Sequence, residues 1–226
     1  MQTKVLRALN KIAADKVYPP MEPEVKRPQQ PSVKTHSQPS DPYKWPFKFQ
    51  VSNKPLQVAL QHVPKWEGFV DKYDPKKPAQ ALGFGTESKK FRSDVIANGG
   101  VVDVQRAWQA AINHLTGSYA DLSRYKGFDK LNPNQQAALM SLHYNTGGGR
   151  IAAGSIPKLL AAGKYDQIPA IMAKYNKVRK YDGITQSTPN AKFDSDRQAW
   201  YVLNPIEGLT NRRNYEIALW NTPYAQ

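Results

Sequence analysis

The stretch that decides the fold is Trp66-Glu67-Gly68-Phe69-Val70-Asp71-Lys72-Tyr73-Asp74, continued by Pro75-Lys76-Lys77-Pro78-Ala79-Gln80-Ala81-Leu82-Gly83-Phe84-Gly85-Thr86. An apolar helical run, Leu56, Val58, Ala59, Leu60 and Val63, leads into it, with Pro64 as a candidate break or kink. One carboxylate, Glu67, sits beside Trp66 and Phe69 at the end of that run; a second, Asp74, follows among Lys72, Lys76 and Lys77. Glycoside hydrolysis uses two carboxyl groups, one kept protonated by apolar neighbours and one kept ionised by polar, wet surroundings. Glu67 suits the first role and Asp74 the second. On spacing alone, solvated surface charges are the favoured reading of the pair. Residues 72–86, with two prolines and two glycines, suit a small β-hairpin that faces the helix end.

Three further stretches extend the pattern. The first is Gln136-Ala137-Ala138-Leu139-Met140-Ser141-Leu142-His143-Tyr144-Asn145-Thr146-Gly147-Gly148-Gly149. The second is Ser155 to Leu160 followed by Gly163-Lys164-Tyr165-Asp166, and the third is Gly208-Leu209-Thr210-Asn211-Arg212-Arg213-Asn214-Tyr215-Glu216. Together with Glu67-Gly68, Tyr73-Asp74 and Leu82-Gly83-Phe84-Gly85-Thr86, these segments resemble, in order, those of phage T4-type lysozymes, glycoside hydrolase family 24. The resemblance covers roughly residues 56–221. It implies an α+β fold: a mostly helical lysozyme-like domain with a small β-hairpin. It also implies a muramidase that cuts the β-1,4 bond between N-acetylmuramic acid and N-acetylglucosamine with inversion.

In that resemblance Glu67 is the general acid, and Asp74 stabilises the oxocarbenium-like charge or orients water. Tyr144 and Ser155 align with residues that line the saccharide cleft; a core aromatic and a helix cap are their plainer readings. Arg212 and Arg213 are placed as partners of acids inside the domain. No metal or other cofactor is implied. Two departures bear on activity. The spacing from Glu67 to Gly83 is one residue short of the family pattern, and Ala81 stands where the family has the Thr that helps hold the attacking water. The expectation is an intact fold whose activity is weakened, altered or lost.

The 226 residues can form one good domain with an appendage. There is no Cys, which excludes a disulfide framework and thiolate metal sites. The four histidines, His36, His62, His114 and His143, form no i, i+4 metal pair. A formal charge of +14 suits a polyanionic partner, either nucleic acid or the anionic bacterial envelope, and charge alone does not separate them. No apolar run reaches the length of a membrane span, and the N-terminus lacks the continuous apolar region of a signal peptide.

Residues 1–48 read as an arm and 49–226 as the lysozyme-like domain. Val5, Leu6, Leu9, Ile12 and Ala13 give residues 2–16 the pattern of a short basic amphipathic helix. Residues 17–48 hold eight of the eighteen prolines and read as an extended arm. Tyr43-Lys44-Trp45-Pro46-Phe47-Lys48-Phe49 reads as an anchor onto the body or as a partner-binding peptide.

Beyond the hairpin the chain reads helical. Expected helices are Val104 to Leu115, a shorter piece from Tyr119 to Tyr125, one capped by Asn132 with Pro133 and Gln135 behind it, Ile156 to Ala162 capped by Ser155, Tyr165 to Tyr175, and Pro205 to Trp220. Asn176 to Pro205 reads as a long loop or insertion. The partners expected are bacterial peptidoglycan and, through residues 1–48, phage virion or tail proteins, with no specific nucleic acid and no transmembrane segment. The protein is expected in the host cytoplasm before lysis or within the virion, acting on the cell wall. The rival reading is a structural virion or tail component on a lysozyme-like body docked through the arm.

Overall fold

The computed structural model describes residues 42–43 and 51–225. All of them fall within one compact unit, Gln38–Gln226. The basic helix expected at residues 2–16 and, Tyr43 apart, the aromatic anchor lie outside the described residues.

Helix α1, Lys54–Glu67, starts where the Asn53 side chain accepts the Leu56 amide at 2.9 Å, with Pro55 in the first turn. Leu56, Ala59, Leu60 and Val63 recur at helical spacing and are all buried. Burial of Leu56, Leu60 and Val63 contributes about 1.5–3 kcal/mol each, which together outweighs the roughly 3 kcal/mol that Pro64 costs inside the last turn. The helix therefore runs through Pro64 and stops at Gly68, whose φ of 71° no L side chain adopts readily. Glu67 is thus the last helical residue.

Helix α2, Lys89–Ala97, begins under the Ser88 hydroxyl, and α3, Val104–Leu122, under the Asp103 carboxylate. The two pieces expected between 104 and 125 are one helix of 19 residues. Gly117 costs about 1 kcal/mol inside it, but Leu115, Ser118 and Leu122 around it are buried and hold the turn in place. Helix α4, Pro133–Thr146, opens on the expected capping box: Asn132 accepts from the Gln135 amide while the Gln135 side chain accepts from the Asn132 amide. Nearly every residue from Asn134 to Tyr144 is buried, so α4 is the central helix; it packs against α1, α3 and α8, Glu207–Asn221. Three short helices follow: α5, Gly148–Ala152, α6, Ile156–Ala161, and α7, Ile168–Met172, which packs on α8. Ser155 precedes α6 but its side chain makes no capping hydrogen bond, so the cap expected there is absent.

The expected hairpin at residues 72–86 is reduced to isolated bridges, Val70 with Gly83, Leu82 with Thr86 and Lys72 with Val101. Pro75 and Pro78 lack the donors that a longer ladder needs. The three-stranded antiparallel sheet lies instead in the stretch expected to be a loop or insertion. Its strands are β1, Lys177–Lys180, β2, Lys192–Asp194, and β3, Ala199–Pro205, with β3 in the middle. Arg179 lies 2.6 Å from Asp194 and stacks over Tyr201, while Phe193 packs on Trp200 across the strands. The whole is mostly helical with a small antiparallel sheet. Among the described residues no helix is long and apolar enough to cross a membrane.

Candidate active site

Glu67 projects from the end of α1 with its side chain 17 % exposed. Its Oε1 accepts from Arg212 Nη1 at 2.6 Å. On the other side Oε2 lies against Gly85: a Cβ built there would fall 2.7 Å from it, and Gly85 has φ +78°. Only glycine lets the backbone of the Leu82–Thr86 turn come this close.

Arg212, 4 % exposed, bridges two carboxylates. Its Nε donates to Glu216 Oε1 at 3.2 Å and its Nη2 to the Ser141 carbonyl at 3.3 Å. The Ser141 hydroxyl donates to the same Glu216 oxygen at 2.6 Å, and Arg213 Nη2 donates to it at 3.0 Å and to Asn145 Oδ1 at 3.1 Å. Two arginines thus offset two glutamates in a mostly buried pocket, although among the described residues Glu216 Oε2 and Arg213 Nε and Nη1 have no hydrogen-bond partner. Burial pushes the Glu216 carboxyl up, against the pull of both arginines. Burial also brings Arg213 down to about 10, still charged at neutral pH. Sequence reading placed both arginines inside the domain, but the Glu67 contact had no local signal: the partners are 145 positions apart.

Tyr144 is 7 % exposed and donates its hydroxyl to the Phe84 carbonyl at 2.6 Å. Its ring stacks on His114 with centroids 4.0 Å apart. Burial first, and then the Glu67 carboxylate, push its phenol well above the usual range, so it stays a neutral donor. Asp74 lies in the loop beyond the Lys72 bridge, where its Oδ1 accepts the Lys76 amide at 2.9 Å. Ser155 is exposed at the start of α6. Among the described residues no hydrogen bond or ion pair ties Asp74 or Ser155 to the Glu67 network.

The neighbours of Glu67 differ from those that the sequence suggested. Trp66 is 37 % exposed and packs on Tyr215 of α8, which also bonds His62. Consecutive helical residues point about 100° apart, so a Trp adjacent in the chain faces away from the carboxyl. Phe69 packs on Phe84 with centroids 5.1 Å apart. Sequence reading missed His114 and the Phe84 carbonyl. Beside His114 opens a cleft of about 550 Å³, whose lining includes Thr86, Glu87, Phe91, Arg106 and Asn113. Among the described residues no His, Asp and Glu cluster could hold a metal ion.

A family model described as phage lysozyme matches residues 64–216, which contain this entire network. The chain belongs to the phage lysozyme family. Comparison with curated proteins returns no match. Among solved structures, this lysozyme-family chain is similar to the endolysin from Escherichia coli O157:H7 phage FAHEc1, at 19 % identity over 80 % of this chain and 99 % of that one, with a TM-score of 0.52. It is similar also to the muramidase domain of SpmX from Asticaccaulis excentricus, at 15 % identity over 78 % and 100 % of the two chains, TM-score 0.53. The active form of P1 phage endolysin Lyz gives 16 % identity over 72 % and 82 %, TM-score 0.51. At these identities the likeness is one of fold.

Proposed function

We propose that the chain is a muramidase that hydrolyses the β-1,4 bond between N-acetylmuramic acid and N-acetylglucosamine in bacterial peptidoglycan, with Glu67 as proton donor. The observation that carries the reading is the double clamp on Glu67, within the residues matched by the phage lysozyme family: Arg212 on Oε1 and the Gly85 backbone against Oε2. A carboxyl fixed on both sides delivers its proton along one direction, which is what general acid catalysis requires. The proton passes to the glycosidic oxygen as the bond to the sugar carbon breaks. Arg212 stabilises the Glu67 carboxylate that is left. Asp74, with one carboxylate oxygen held by the Lys76 amide, supports the developing positive charge or orients the incoming water, which adds from the opposite face; the proton that this water loses passes to solvent, from which Glu67 is reprotonated for the next turnover. Tyr144 and Ser155 complete the saccharide cleft, Tyr144 by fixing the Phe84 carbonyl and Ser155 as an exposed hydroxyl.

The test is release of reducing sugar from purified peptidoglycan by the wild type and by Glu67→Gln. The variant is expected to lose roughly 10²–10⁴-fold in rate with its melting temperature near wild type. An equal rate in the variant would overturn the assignment. A second reading rests on Ala81, which offers no hydroxyl to hold the water: a structural virion or tail component on a lysozyme body, docked through residues 1–48. Release of no reducing sugar by the wild type is the outcome that favours it over an enzyme acting from the host cytoplasm at lysis or from the virion.

A further inference from the structure

Pro42 and Tyr43 precede the residues matched by the family, which begin at 64, yet they touch the support of the site. Trp108 Nε1 donates to the Pro42 carbonyl at 3.0 Å. The Tyr43 ring lies against Phe84, with centroids 5.9 Å apart. Phe84 is fully buried and also meets Trp108 at 4.7 Å and Phe69 at 5.1 Å. Its ring is therefore held by three aromatic side chains, one of them contributed from outside the family-matched residues.

The backbone of the same residue is part of the site. The Phe84 carbonyl takes the Tyr144 hydroxyl, and the next residue, Gly85, lies against Glu67 Oε2. The turn is closed by two hydrogen bonds, Leu82 N to Thr86 O at 3.0 Å and Thr86 N to Leu82 O at 2.9 Å, and Gly83 is tied to Val70 in both directions at 3.0 Å. Gly83 and Gly85, which flank Phe84, both have positive φ, a backbone conformation that favours glycine. Beyond Gly83 the turn is held at Phe84, by the Tyr144 bond to its carbonyl and by the ring that it buries. On the far side Gly83 abuts Ala107 of α3, where a Cβ would fall 2.8 Å from the Ala107 methyl. The ring of Phe84 is the handle by which the turn is fixed against Glu67.

We infer that Pro42 and Tyr43 are positioning residues of the active site: Tyr43 presses on the Phe84 ring and so sets the Gly85 backbone against Glu67. The inference rests on the muramidase reading for its catalytic consequence, but the mechanical coupling can be read without it. Displacement of the turn by about 1 Å is of the size that costs about 10²-fold in rate. Loss of the Tyr43 ring leaves Trp108 and Phe69 in place, so a smaller effect, about tenfold, is expected.

The experiment uses the full chain as wild type, Tyr43→Ala and Tyr43→Phe. Two quantities are measured well below the melting temperature: kcat and KM for reducing-sugar release from peptidoglycan, and hydrogen exchange of the Leu82 and Thr86 amides. Tyr43→Ala is expected to lower kcat about tenfold with KM within about twofold, and to speed exchange at both amides. Tyr43→Phe keeps the ring and is expected to match wild type in both. Unchanged kcat in Tyr43→Ala overturns the positioning role, as does a fall in kcat with exchange unaltered. A Tyr43→Phe variant that behaves like Tyr43→Ala overturns the ring contact as its cause. If the wild type releases no sugar, the muramidase reading fails, while faster exchange in Tyr43→Ala alone still upholds the coupling and unaltered exchange still overturns it.

Discussion

Arg212 Nη1 stands 2.6 Å from Glu67 Oε1 and joins the last residue of α1 to the second turn of α8. The same guanidinium reaches Glu216 through Nε, so one side chain balances two acids. Replacement of Arg212 by Ala leaves both carboxylates short of a partner in a nearly dry site. We expect a loss of about 3–5 kcal/mol in unfolding free energy, read from urea denaturation. Arg212→Lys is expected to recover only part of this, because an ammonium lacks the planar fork that spans two acceptors. A midpoint within error of wild type for Arg212→Ala means that water replaces the bridge.

Gly85→Ala tests the other side of the clamp. The new methyl would fall 2.7 Å from Glu67 Oε2, and φ +78° is unfavourable for alanine. The left-handed backbone alone costs roughly 1–2 kcal/mol. The carboxyl has to move as well, so wall-cleaving activity is expected to fall by about 10²-fold, more than the loss of stability explains. Zymogram clearing at matched folded fraction checks it; activity in proportion to folded protein would show that Glu67 tolerates the shift.

Ala81→Thr restores the hydroxyl that the family resemblance expects. If water placement limits the rate, kcat is expected to rise several-fold with KM little changed, because a held water lowers the entropic part of the barrier. No gain in turnover means that another group places the water.

The β1–β3–β2 sheet carries a pH dependence of its own. The Tyr181 hydroxyl, the Arg197 amide and the Arg179 guanidinium hold the Asp194 carboxyl down to about 2. Its folded pKa lies below the unfolded value near 4, so the unfolded state binds more protons in that window. The stabilisation is present above pH 4 and is lost as pH falls through 2. Trp200 fluorescence, or amide exchange in β3, is expected to report opening of the sheet between pH 4 and pH 2. In Asp194→Asn that transition is expected to vanish; a transition of the same size in the variant would assign it elsewhere.

What the sequence made legible was local. The Asn132–Gln135 box needs only a few neighbouring residues, and it was readable. The family segments, taken in order, gave the helical body. The sheet was hidden because its strands have three to seven residues and β1 is exposed throughout, so it shows no alternation between core and solvent. Glu67 could be singled out from the sequence, but its surroundings could not be read there. Adjacency suggested Trp66 as its neighbour, whereas the contacts come from Arg212 and Gly85, which only the folded chain brings together. The single long α3 was masked by Gly117, whose local penalty is overridden by buried neighbours.

The clamp on Glu67 also sets an order in time. Arg212 follows Glu67 by 145 positions. At about 5–20 residues per second of synthesis, the acid leaves the ribosome roughly 7–30 s before its counterion. Through that interval α1 can form, but the carboxyl has no fixed direction and Glu216 has not yet been made. The arginine that fixes the carboxyl arrives with the last helix described, so the pair on which the proposed proton delivery depends forms only after the central helix has been made.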